Sequence, residues 1–212
     1  MSKHKKRDAT ASKELILQNA IKLFSTKEFS SVSMDQLAQT CNLNKAMIFY
    51  YFKNKKALYE AVIIKVLEEI STTIQKENQK HTKATKKLEQ FIITFSKFAW
   101  EKHYLSSLFL RELSVSSDIS NTLFLHMKNL YQLFCDILAQ GEKENEFSSS
   151  SSMMLYFMIT GSINLMVTTK DLRVEANKNH NIQTSSTFDD KDISSYIIDQ
   201  IMLILTTKKG EL

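Results

Sequence analysis

Residues 33–52 read SMDQLAQTCNLNKAMIFYYF, a stretch that encodes two short helices and the turn between them. Ser33 with Gln36 three positions on is a capping box, in which hydroxyl and amide each satisfy a backbone N–H orphaned at a helix start. Leu37 and Ala38 supply that helix's buried face. Thr40-Cys41-Asn42-Leu43 then turns the chain, because Asn best tolerates a left-handed backbone after Gly. Asn44 caps the next helix, which runs through about Tyr51, and Ile48 and Phe52 lie four positions apart on its inner face. Lys45, Ala46, Met47 and Phe49 remain for its start and outer face. Four consecutive aromatics, Phe49-Tyr50-Tyr51-Phe52, point all round a helix, so some of them must reach the surface.

Two short helices joined by a tight turn, with a basic flank, can set the second helix in the major groove of DNA. Lys45 can donate to phosphate or guanine, and Met47 and Phe49 can touch thymine methyls or sugar. The Tyr50 hydroxyl can donate to a phosphate. Lys55, in the first turn of the following helix, adds a charge-assisted phosphate contact beside that helix's N-terminal N–H groups.

On the N-terminal side, Ile16, Ala20, Leu23 and Phe24 form an apolar stripe, which predicts a helix from about Ser12 to Lys27. The tail Lys3-His4-Lys5-Lys6-Arg7 is expected to be disordered, either solvated or reaching the minor groove or phosphates. On the other side Asn54 caps a fourth helix, with Leu58, Val62, Val66 and Ile70 along one face. Further helices are expected near 84–103, 105–114, 119–143, 150–169 and 191–207. Residues 170–190, rich in Asn, Ser, Thr and charge, are expected to be a flexible connection. The serine run 148–152 reads as a loop and helix cap.

Composition agrees with an all-helical chain. There are no prolines and three glycines in 212 residues, too few for the corners of a sheet-rich fold. Hydrophobic residues at 43% and charged residues at 24% are those of a globular protein with a real core. Cys41 and Cys135 have no Cys or His at ligand spacing, so neither a disulfide framework nor a metal site is expected, and a cytoplasmic setting is. The N-terminus carries no apolar segment behind its basic run, and the longest apolar stretch, Met153 to Val167, is too short for a membrane span. Residues 1–60 hold 11 Lys/Arg against 5 Asp/Glu, whereas residues 61–212 hold 17 against 18. The excess positive charge therefore lies in the first quarter, as expected if that end alone meets a polyanion.

The segment from Ile16 to Val62 resembles the N-terminal domain of the TetR/AcrR family of one-component regulators. The resemblance rests on Ala20, Leu23-Phe24, Phe29, the Ser33-to-Ala38 helix, and Lys45-Ala46-x-Ile48-Phe49-Tyr50-x-Phe52 followed by x-Asn54-Lys55-x-x-Leu58. Glu28 stands where the family prefers Gly, Asn42 replaces another Gly, and Tyr51 replaces a common His. The resemblance implies that Ser33, Tyr50 and Lys55 hold phosphates and that Lys45, Ala46 and Met47 lie next to bases. The expected DNA-contact set is Ser33, Asn44, Lys45, Ala46, Met47, Phe49, Tyr50 and Lys55. Expected boundaries are a basic tail over 1–10, a DNA-binding domain over 11–56, and a ligand-binding and dimerisation domain over 57–212. The fourth helix, to about residue 75, would connect them.

Family members are homodimers through their last two helices, and the residues agree. The run Met153 to Ile159 is apolar on every helical face, as is the final helix with Tyr196, Ile197, Ile201 and Leu205. Gly161 would let another backbone approach. A two-fold dimer presents two recognition helices about one DNA turn apart, which predicts a pseudo-palindromic operator of double-stranded DNA. The family further implies a small-molecule inducer. An apolar pocket is expected to draw on Phe98, Phe109, Met127, Tyr131 and Phe157, with His103, Arg111, His126 and Asn164 as polar groups, although for each residue a role in the core is the simpler reading. No catalytic grouping, cofactor motif or metal site is expected, since Glu101 and His103 fall on different helix faces. A chromosome or cell-division factor of the same fold is the competing reading.

Overall fold

The computed structural model describes residues 3–27, 29–103, 106, 120–180 and 188–206. Among these it contains nine α-helices: α1 (Lys3–Thr26), α2 (Met34–Cys41), α3 (Lys45–Tyr51), α4 (Lys55–Asn78), α5 (Ala84–Glu101), α6 (Asn121–Lys143), α7 (Ser152–Thr168), α8 (Lys170–His180) and α9 (Asp190–Thr206). No strand occurs among the described residues. The chain divides into two compact units, Met1–Val66 and Leu67–Leu212, and the division falls within α4.

Two expectations are corrected. The basic tail is not irregular: α1 begins at Lys3, since Lys, Arg and Ala are good helix formers and no Gly or Pro interrupts them. Residues 170–180 are not a flexible connection but α8. That polar segment also lacks Gly and Pro, and Arg173 ties it down by donating from Nη1 to Met166 O and to Thr169 Oγ1 at 2.7 Å. The helix expected at 105–114, with Phe109 and Arg111, lies outside the described residues except for Ser106.

In the first unit α2 packs on α1 and α3. Ile16, Ala20 and Phe24 of α1, Leu37 of α2, Ile48 of α3 and Leu58 and Val62 of α4 are fully or almost fully buried. Phe24, Phe29 and Tyr59 form an aromatic trio with centroids 5.0–5.9 Å apart.

In the second unit α5 is central, packed against α6, α7 and α9. Its buried Phe91 meets Phe134 of α6 at 5.3 Å, and Phe134 meets Tyr156 of α7 at 5.6 Å. The α6–α7 loop is stitched to the end of α9 by a bond from Ser148 N–H to Leu205 O at 2.7 Å. The serine run is a loop and cap as expected, Ser151 Oγ accepting from Met154 N–H at 3.4 Å. No single helix among the described residues is long and apolar enough to cross a membrane; α7 and α8 would reach that length and composition only together, and a 58° bend separates them.

Candidate nucleic-acid interface

The helix-turn-helix is built by caps. Ser33 Oγ accepts from Gln36 N–H at 3.0 Å and opens α2. Asn42 closes it in the left-handed region, φ 52° and ψ 41°, as expected. Its own N–H reaches Gln39 O at 3.1 Å, and Leu43 N–H returns to Ala38 O at 2.9 Å, so the last carbonyls of α2 are satisfied within the turn. Asn44 Oδ1 then accepts from Met47 N–H at 2.8 Å and starts α3, and Asn54 Oδ1 accepts from Ala57 N–H at 2.8 Å and starts α4. Three polar side chains thus set the directions of three helices within 22 residues, counting Ser33 to Asn54.

Burial fixes the rotation of α3. Ile48 is wholly buried and Phe52 is 4% exposed, so the opposite face must look outward. Tyr50 is 78% exposed and Phe49 42%, with Lys45 and Ala46 exposed and Met47 half-buried. The Tyr50 ring rests edge-on against Tyr51, centroids 5.1 Å apart, which holds a large exposed aromatic in one direction. Lys13 of α1 lies over the Phe52 ring at 5.9 Å.

The lysines are held more closely than spacing alone suggests. Lys45 Nζ donates to Asp35 Oδ2 at 2.7 Å, joining the starts of α2 and α3 by an exposed ion pair. Lys55 Nζ donates to Ser30 O at 3.2 Å and sits 4.4 Å from the centroid of Phe29. Partial burial pulls the Lys55 ammonium below its usual value. Neither Asp35 nor the Ser30 carbonyl was foreseeable from spacing, because both partners are set by how the helices cross. Chemically, the site offers cations, amide and hydroxyl groups and an aromatic edge, backed by apolar core. It can donate to anionic oxygens and touch flat apolar edges.

Residues expected to bind a ligand do not converge. His103 is exposed, and Phe98 is half-buried beneath Lys102, whose Nζ lies 4.5 Å from its ring. Tyr131 and Tyr156 meet edge to face at 5.1 Å, and burial drives the Tyr156 hydroxyl well above the usual phenol range. Bonding to Cys135 raises the Tyr131 hydroxyl too. Met127 is half-buried. Asn164 is buried but spends its amide on Thr160 O at 2.7 Å, and Phe157 faces outward, 56% exposed. His126 lines a polar cleft of about 380 Å³ between α4 and α6, 3.7 Å from Glu68. A larger apolar groove, about 600 Å³, runs between α7 and α9, lined by Met158, Met166, Ile197 and Ile201 among others. Of the residues expected to orient a ligand, the described ones, His103, His126 and Asn164, do not line that groove. Among the described residues no group of His, Cys, Asp and Glu is placed to hold a metal.

An all-helical chain with a capped helix-turn-helix, its second helix turned outward on a buried frame, defines a DNA-binding transcriptional regulator. Residues 16–62 match the family model for bacterial regulatory proteins of the tetR family. Through these residues the chain is similar to the TetR family of transcriptional regulators, whose members are not enzymes. It is 28% identical over 143 residues, covering 65% of this chain and 68% of the other, to the probable HTH-type transcriptional regulator YttP of Bacillus subtilis (strain 168). It is 25% identical over 134 residues, covering 63% and 71%, to IcaR of Staphylococcus aureus (strain Newman), the HTH-type negative transcriptional regulator of the biofilm operon icaADBC. In fold it is similar to the transcriptional regulator FadR from Bacillus subtilis, solved in complex with stearoyl-CoA, with a TM-score of 0.73 and 17% identity over 91% of this chain and 97% of that one.

Proposed function

We propose that the protein is a cytoplasmic repressor that binds a pseudo-palindromic operator as a homodimer and leaves it when a small, largely apolar ligand binds. The observation that carries the DNA half is the rotation of α3, whose buried Ile48 turns Lys45, Ala46, Met47, Phe49 and Tyr50 outward. Ser33, Asn44, Tyr50 and Lys55 are the backbone anchors in this reading and Lys45 to Met47 the readers. Residues 11–56 would carry this activity, preceded by the basic residues 1–10. Residues 57–212 would carry pairing and sensing.

Pairing is supported by α7 and α9, which leave Met153, Met154, Phe157, Leu165, Tyr196 and Leu203 more than half exposed. An apolar face of that extent marks an interaction surface. Repression is supported by the likeness to IcaR, a negative regulator. An apolar ligand is supported by FadR's capture of stearoyl-CoA in the same fold and by the aromatic interior around Phe91, Phe134 and Tyr156. Ligand binding in the second unit would favour a state in which the two recognition helices no longer match the operator half-sites.

The test is titration of the protein against the DNA flanking its own gene at several salt concentrations. A saturable, site-specific shift is expected, with affinity falling steeply as salt rises. Lys55→Ala should weaken all sequences about equally and flatten the salt slope, whereas Lys45→Ala or Met47→Ala should change base preference. No specific shift there or in selected random DNA overturns the regulator reading. Binding at many sites spread over a chromosome would instead make it a chromosome factor.

A further inference from the structure

Helix α8 buries none of its own residues, yet it is firmly placed. Arg173 N–H reaches Thr169 O at 2.9 Å, its guanidinium holds Thr169 Oγ1 and the Met166 carbonyl, and Lys170 Nζ lies 4.5 Å from the centroid of Trp100. A helix that costs chain entropy to order and fully buries none of its own side chains gains little by itself. It also displays Leu172, at 68% exposed the most exposed of the large aliphatic side chains among the described residues.

Leu172 continues a pattern that begins in α7. Met154, Met158, Gly161, Leu165, Thr168 and Leu172 follow one another at spacings of four and three, the 3.5-residue period of a seam that faces a partner helix. Met154, Met158 and Leu165 are exposed, and a Cβ added to Gly161 would meet nothing within 4 Å. Thr169, between the two helices, leaves the helical region at φ −97° and ψ 12°, and the chain bends by 58°. Its N–H still reaches Leu165 O at 3.0 Å and its carbonyl accepts from Arg173 N–H at 2.9 Å, so four-residue hydrogen-bond steps run across the bend.

We propose that α8 is an arm that docks on a second copy of this chain, with Leu172 prolonging the α7/α9 contact surface past the end of α7. Continuity identifies the occupant: Leu172 lies four residues past Thr168 and seven past Leu165, so the surface that covers Leu165 is the nearest one within its reach. The rest of α8 suits the rim of such a contact, since Lys170, Asp171, Arg173, Glu175 and Lys178 mix both charges. This inference rests on the dimer proposed above.

The test compares the dimer dissociation constants of the full-length protein and three variants by sedimentation across a dilution series. Leu165→Glu, in the middle of the seam, should leave the chain monomeric. Leu172→Glu should weaken the dimer about tenfold or more and Leu172→Ser by less, the scale of losing one buried leucine per copy, while helicity by circular dichroism stays unchanged. A dimer that Leu165→Glu dissociates and that both Leu172 variants leave at wild-type affinity would overturn the arm alone. A wild-type chain that stays monomeric at every concentration would overturn the dimer and the arm together.

Discussion

A Cβ added to Gly141 would stand 2.0 Å from Cδ2 of Phe147, inside the ring's own volume. The chain reaches that packing by ending α6 and turning at Asn145, whose φ of 59° is left-handed, so that Glu146 and Phe147 N–H both return to Gly141 O at 2.8 and 3.1 Å. Gly141→Ala must therefore push a buried aromatic aside, and a loss of about 1–3 kcal/mol in a urea melt is expected. An unchanged midpoint would mean that the ring moves without cost. Asn42 performs the same left-handed turn and was legible in advance, because its requirement is local. Gly141 was not, since the ring it accommodates is recognised only once the loop has folded. Lys45 shows the same limit at the interface. Its position on α3 follows from spacing, but its ion pair with Asp35 depends on how α2 and α3 cross. Asp35→Asn removes a carboxylate from the face proposed to meet DNA and frees the Lys45 ammonium. Operator affinity at low salt is expected to rise about two- to fivefold, the scale of one exposed pair; weaker binding in a filter or fluorescence titration would show that the pair positions Lys45 instead.

Helix starts make the same point one scale up. Caps written in the neighbouring sequence were legible: Ser33, Asn44, Asn54, and the serine before α7. The start of α5 was not, because its N-cap residue Lys83 makes no side-chain cap bond. The carboxylate comes instead from Glu146, 61 positions away, whose Oε2 accepts from Thr85 N–H at 2.8 Å and from the Thr85 hydroxyl at 2.5 Å. The Thr85 hydroxyl, then its N–H, hold the Glu146 carboxyl below its usual value. A depressed carboxyl stabilises the fold above its unfolded pKa, and that contribution disappears as pH falls through the lower, folded value. Glu146→Ala should therefore cost about 1 kcal/mol at neutral pH, as loss of a helix cap does, and less as the pH falls below about 4. A difference between wild type and variant that stays constant down to pH 2 would contradict the assignment. Helix α8 was misread for a related reason. Its composition is that of a connection, and the contacts that tie it down depend on how it leaves the end of α7, at Met166 and Thr169, and on Trp100 of the distant α5.

For the whole molecule, each unit has its own buried core, and the second also leaves an apolar surface exposed. The first unit's fold was legible almost entirely, since an apolar stripe every three or four residues and three caps determine it. The second unit was legible as helices but not as a pocket, because which faces of Phe98, Tyr131 and Phe157 meet depends on packing angles that periodicity does not encode. The uniformly apolar α7 was ambiguous in the same way: periodicity could not tell the side facing its own core from the side facing another copy. The structure separates them. Leu155, Ile159 and Ile163 are buried within the chain, while Gly161 opens to empty space on a side flanked by exposed Phe157 and Leu165. A glycine on a helix surface costs roughly 0.5–1 kcal/mol relative to alanine and offers its own chain no packing in return. The dimer proposed above gives it a use, the close approach of another backbone. Gly161→Phe should then leave the isolated chain as helical as wild type, while the dimer weakens by at least about tenfold. Operator binding should weaken with it, because a monomer grips one half-site where the dimer grips two. Raising the protein concentration should restore full-operator binding if pairing is the only defect. A variant that dimerises normally in sedimentation, or one that dimerises poorly yet binds the operator as wild type does, would separate DNA binding from this surface and send the search for the dimer contact elsewhere on the second unit.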